Sequence, residues 1–214
     1  MRTWRSAPVW RAARYAVVDV ETTGLDPRRD AVLSVGVVPI DAGRIAAGAT
    51  SYVEVRHDAG LRASNVLVHG LTPSVVAGGV PEQEAARVVG AAIAGRIPVA
   101  HFAGVERAFL LPLLARYGVR VPERFLDTEA LLRLLDGRRE DRWRPPAVPL
   151  AEAAGRFRLP VHRPHHALGD ALTTAQLFLA LATALEADGV GTPAAMRRQC
   201  RLLRLMEGGG GRRR

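Results

Sequence analysis

Ten residues near the amino terminus, Ala16-Val17-Val18-Asp19-Val20-Glu21-Thr22-Thr23-Gly24-Leu25, constrain the fold more than any other stretch. The unbroken apolar run at its start, rich in Val, is the pattern of a buried strand. Two acids then interrupt the run at i and i+2. Strand side chains alternate faces, so Asp19 and Glu21 project from the same side. Neighbouring carboxylates repel, and burying them uncompensated costs several kcal/mol. A hard divalent cation such as Mg²⁺ or Mn²⁺ removes that cost. A solvated strand face is the alternative reading of an isolated Asp-x-Glu.

The following residues read as a mixed sheet with helices. A first strand spans about residues 14–20, a second 31–40, and a third 44–55 after the turn at Asp41-Ala42-Gly43-Arg44. Short turns between them predict an antiparallel meander. Pro81 to Gly95 carries Pro and acids at its start and Gly at its end, which predicts a helix. Ile97 to His101 is a short strand leading into a helix over 104–117, with Pro112 expected to kink or break it. Phe125 to Thr128 is another short strand, with Asp127 or Thr128 capping a helix that runs to Leu135. Helices are also expected over 150–157, 167–187 and 192–206. Meander followed by strand–helix alternation predicts an α/β fold with one sheet covered by helices.

Charge narrows the partner. The net charge is +9, all 30 basic residues are Arg, and the pI is near 11.2. Guanidinium forks match phosphate, so nucleic acid is the favoured polyanion. Residues 1–13, with Arg2, Arg5, Arg11, Trp4 and Trp10, read as a basic arm or an ordered lead-in. The Arg-rich stretch 136–148 reads as an exposed basic loop or an ordinary solvated one. Residues 207–214 form a Gly/Arg tail expected to be flexible. The single Cys200 excludes an internal disulfide. No apolar run reaches the roughly 20 residues of a membrane span, and no signal-peptide pattern opens the chain. A cytoplasmic protein with no membrane partner is expected.

Two further clusters complete the set. His101-Phe102-Ala103-Gly104-Val105-Glu106-Arg107-Ala108-Phe109-Leu110 places an acid in a first helical turn. That acid is either a metal ligand or a helix-start residue favoured by the macrodipole. His165-His166-Ala167-Leu168-Gly169-Asp170 offers an acid and, five residues earlier, an imidazole. An imidazole with the ordinary pKa of about 6.5 accepts protons at neutral pH.

Together these three segments, in this order, resemble the motifs of the DEDDh 3′→5′ exonucleases. That family includes the proofreading subunit of bacterial DNA polymerase III, ribonuclease T and oligoribonuclease. The second segment departs from His-Asn-Ala-x-Phe-Asp in having Phe102 and Glu106 where Asn and Asp are usual. The third matches His-x-Ala-x-x-Asp.

The resemblance implies a ribonuclease H-like fold with a mixed five-stranded sheet, and an exonuclease domain over 14–187 followed by a C-terminal helix to 206. It further implies two divalent cations, Mg²⁺ or Mn²⁺, held by Asp19, Glu21, Glu106 and Asp170, with His165 as general base. Single-stranded or frayed 3′ ends are the implied substrate, DNA favoured, with release of nucleoside 5′-monophosphates. Thr22, Leu25, Phe102 and His69, the last within the segment Asn65 to Thr72, are the implied substrate-side residues. Trimming of RNA, or a binding module without turnover, are the alternatives. Polymerase association and self-association stay open.

Overall fold

A computed structural model describes residues 9–57, 70–140 and 147–208, with the side chains of 138–140 and 203–208 left aside. The fold is α/β, with a mixed sheet flanked by helices on both faces. Its strands are β1 (Tyr15–Thr22), β2 (Val32–Asp41), β3 (Arg44–Ile45), β4 (Ser51–Glu54), β5 (Ile97–Ala100) and β6 (Leu126–Asp127). β1 pairs antiparallel with β2, and β2 pairs antiparallel with both β3 and β4. On its other side β1 runs parallel to β5, and β5 parallel to β6.

The sheet has six strands rather than five because the expected strand 44–55 is divided by a single 3₁₀ turn at Ala47–Ala49. Ala-Gly-Ala lacks the β-branched side chains that hold a strand extended.

Helices follow as α1 (Pro73–Ala77), α2 (Glu82–Ile93), α3 (Gly104–Arg116), α4 (Thr128–Glu140), α5 (Leu150–Arg156), α6 (Ala167–Ala187) and α7 (Pro193–Gly208). Thr72 caps α1, its hydroxyl accepting the Val75 N–H at 3.4 Å. α3 runs unbroken through Pro112. Asp127 caps α4 by accepting the Glu129 N–H at 3.1 Å. α4 extends five residues beyond the expected Leu135, so the Arg-rich stretch begins as helix. At its other end Val148 is buried, not part of an exposed loop. Residues 141–146, like the tail from 209 onward and the arm before 9, lie outside the described residues.

β1 divides the core between its two faces. Tyr15 and Val17 join one cluster with α4, α5, α6 and α7, around Leu131, Phe178 and Leu181. Ala16, Val18 and Val20 join the other, against α2 and α3. Alternation therefore carries Asp19 and Glu21 to the α6 side. Within residues 1–13, read as a basic arm or an ordered lead-in, Trp10 is 2% exposed and meets Phe178 edge-on at 6.3 Å. Its side chain is core and not part of an exposed arm. α6 is by length and composition apolar enough to cross a bilayer, but it packs across β1 and β2 with eleven residues buried.

One glycine decides how closely α6 approaches. Gly36 of β2 lies opposite Asp19 in register. A Cβ built there would stand 2.4 Å from the Ala167 carbonyl carbon and oxygen. The first turn of α6 thus rests directly on the β2 backbone. Gly36→Ala should force the helix outward and cost about 1–3 kcal/mol, as overpacking does. A lowered thermal midpoint is the expected readout, and an unchanged one would mean the helix is not seated this way.

Candidate active site

β1 and β5 leave the sheet at the same edge, as parallel neighbours. Ligand crevices form outside such carboxyl ends. At the end of β1, Asp19, Glu21 and Asp170 each bring a carboxylate oxygen within 4.8 Å of the others. Asp19 and Glu21 share a face through strand alternation. Asp170 joins them because α6 begins against Gly36, and the positive end of that helix dipole favours acids there.

Glu106 sits in the first turn of α3 and is 3% exposed. It lies outside the tight trio, yet it is the strongest charged influence on Asp19. Its Oε2 is buried without a hydrogen-bond partner. Such an orphaned oxygen costs free energy unless something absent from the protein chain completes it. An all-oxygen set of this kind fits a hard divalent cation.

The protonation behaviour agrees. Burial, then the charges of Glu106, Glu21 and Asp170, raise Asp19 well above the usual carboxylate range. Burial and then Asp170 lift Glu21 from 4.5 to about 7. Glu106 is pushed up to about 8, by burial and then Asp127 against the opposing effect of a backbone hydrogen bond. Asp170 is raised by burial, which the His165 N–H and imidazole oppose.

His165 precedes α6 and is exposed. Its N–H donates to Asp170 Oδ2 at 2.9 Å. Its φ of +57°, in the left-handed region unfavourable to a β-carbon, and Arg163 at +33° mark a strained loop. The loop is held down by the His162 N–H, which donates to Thr173 Oγ1 at 3.0 Å, while that hydroxyl donates to the Gly169 carbonyl at 3.0 Å. A Cβ at Gly169 would meet the His162 carbonyl at 2.3 Å, so this residue must be glycine for the loop to close on the helix. His166 instead stacks on Tyr52, ring centroids 4.6 Å apart. His101 is a structural fastener, its Nδ1 2.9 Å from Thr128 Oγ1 and its Nε2 2.9 Å from the Val148 carbonyl.

Of the substrate-side candidates, Thr22 Oγ1 donates to the Gly24 carbonyl at 2.6 Å, so its proton is used within the turn. Leu25 is 83% exposed at the same edge. Phe102 is 39% exposed with φ +58°, and its N–H donates to Asp127 Oδ1 at 3.1 Å. His69 lies outside the described residues. Gly36, Gly169, Tyr52 and Asp127 were not read as site residues from the sequence. Only Asp127 left a signal, as a helix cap.

Comparison with known proteins gives concordant results. The exonuclease family profile matches residues 16–178. A DNA polymerase III subunit epsilon-like protein of Rhodobacter capsulatus is 32% identical over 90% of this chain. The chain spans 27% of that relative's length. E. coli exonuclease I in complex with a dT13 oligonucleotide superposes with a TM-score of 0.69 at 14% identity, over 82% of this chain and 42% of the other. Exonuclease X in complex with 5′ overhanging duplex DNA gives 0.64 at 21% identity, over 87% of this chain and 99% of the other.

The raised carboxyls carry a pH signature. Between pH 4.5 and about 8 the folded protein retains protons on Glu21 and Glu106 that the unfolded chain has released. Stability of the metal-free protein should therefore fall as pH rises through that window and level off above it, by on the order of a few kcal/mol. Millimolar Mg²⁺ or Mn²⁺ should restore it at pH 8 and act weakly at pH 5, and Glu106→Gln, which removes one of these two raised carboxyls, should make the profile shallower. Urea unfolding across this range measures all three, and a flat wild-type profile would contradict the assigned electrostatics.

Proposed function

The chain belongs to the exonuclease family, and from that premise we propose that it removes nucleotides one at a time from the 3′ ends of single-stranded or frayed DNA. The observation that carries this reading is the convergence of Asp19, Glu21 and Asp170, with the partnerless carboxylate oxygen of Glu106 behind them. The solved neighbours bound to a dT13 oligonucleotide and to overhanging DNA support DNA as substrate.

Asp19, Glu21, Glu106 and Asp170 would hold two divalent cations, Mg²⁺ or Mn²⁺. When bound, such ions supply Lewis acidity that favours deprotonated water and offsets charge on the departing oxygen. His165, exposed beside Asp170, takes a proton from the attacking water. Water oxygen bonds to the terminal phosphorus and the P–O3′ bond breaks. A nucleoside 5′-monophosphate leaves, and the departing O3′ takes a proton from solvent, so the shortened strand ends in a 3′-hydroxyl. Asp170 orients the base loop by accepting the His165 N–H. Leu25 and Phe102 present exposed apolar surface to the last sugar and base. A duplex end must open before its terminal nucleotide can enter.

A 5′-labelled single-stranded oligonucleotide with Mn²⁺ should shorten in one-nucleotide steps. Asp19→Ala should abolish the ladder, whereas binding without shortening would reduce the protein to a nucleic-acid-binding module. His165→Ala should lower kcat by about 10²–10⁴, the usual contribution of a general base, while retaining stabilisation by Mn²⁺. His166→Ala should cost less. Equal rates for His165→Ala and wild type would remove that imidazole from the reaction.

A further inference from the structure

A second surface feature lies beside the acidic site and takes no part in it. A groove of about 630 Å³ runs along β6, between α3 and α7. Five guanidinium groups line it: Arg107, Arg124, Arg197, Arg198 and Arg201. None of the five is ion-paired among the described residues. The acids on its wall are Glu123 and Asp127, and Asp127 is already engaged by the Phe102 and Glu129 N–H groups.

The sequence of α7 produces this arrangement. Met196 and Cys200, one turn apart, are buried against the core. Arg197 and Arg201 are likewise one turn apart and line the groove, with Arg198 beside them. Unpaired guanidinium groups crowded on one wall repel one another, and a polyanion relieves that repulsion. Two residues that line the groove also adjoin the acidic site. Arg107 directly follows Glu106 in α3, and Asp127 accepts the N–H of Phe102, four residues before Glu106.

We propose that this groove is the track for the phosphodiester backbone of single-stranded DNA upstream of the nucleotide being removed. The inference rests on the exonuclease reading for its direction, since the 3′ end must reach the acids while the preceding phosphates lie along the arginines. Phosphate contacts position a strand without reading its bases, so the track is independent of sequence.

The triple variant Arg124→Ala/Arg198→Ala/Arg201→Ala tests the track with two substrates. One is a single-stranded DNA of about 20 nucleotides, and the other the p-nitrophenyl ester of thymidine 5′-monophosphate, which has no upstream phosphate. Expected is a loss of about tenfold or more in kcat/KM on the DNA, with the ester cleaved as by wild type. The salt dependence of DNA binding should become shallower by about 2, because each guanidinium–phosphate pair contributes about 0.7 to the slope on a single strand. The matching Lys triple should recover most of the affinity, which a misfolded variant would not allow. Arg44→Ala/Arg87→Ala/Arg120→Ala removes the same charge from exposed arginines elsewhere. Equal losses in both Ala triples would mean that net charge alone is at work and would overturn the track. So would unchanged DNA kinetics in the groove triple, or loss of polyglutamate binding with DNA kinetics intact, which would mark an acidic-peptide site. If wild type cleaves neither substrate, the exonuclease reading fails, and fluorescence anisotropy on the same DNA and variants still decides the groove.

Discussion

Carboxylates crowded beneath the end of one strand dominate the energetics of this molecule. Burial alone disfavours their charge, the other three acids raise Asp19 further, and Asp170 raises Glu21. A chain stabilised only by its core would have no reason to retain such a cluster, since apolar replacements of similar volume would remove the cost. The cluster makes physical sense when an external positive charge completes it. The sheet, the close helix and the strained loop then serve to hold oxygen atoms in place against their mutual repulsion.

The supporting structure is stiff where this matters. Asp19 and Glu21 pair with Gly36 and Ser34 of β2, on a strand whose preceding residues Tyr15 to Val17 are also paired with β5. Asp170 belongs to the longest helix, buried along much of its length. Glu106 is fixed by the burial of α3 through Phe109, Leu110 and Leu113. The turn after β1 is tied internally by Thr23, Asp26 and Asp30, and the loop carrying His165 is tied to α6.

Much of this was legible in the residues themselves. Alternation in β1 alone places the first two acids together, and the order of strands and helices gives the fold class. What escaped the sequence depends on contacts between distant positions. Nothing local to Gly36 or Gly169 reveals that a helix or a carbonyl will lie against it. Trp10 reads as a basic-arm aromatic until Phe178, far along the chain, is brought beneath it. The break at Ala47–Ala49 and the extension of α4 to Glu140 are boundary effects, which local propensity specifies poorly.

The seating of the His165 loop on the first turn of α6 has a mechanical consequence. The imidazole-bearing segment and Asp170 ride on one rigid rod, tied to it by a carboxylate–amide bond and by the glycine contact. Any displacement of that rod therefore carries the acid and the backbone of His165 together, and their mutual spacing survives. Because the same turn rests on Gly36, opposite Asp19, the near end of this 21-residue lever is its pivot, and movement at the far end reaches the acids least.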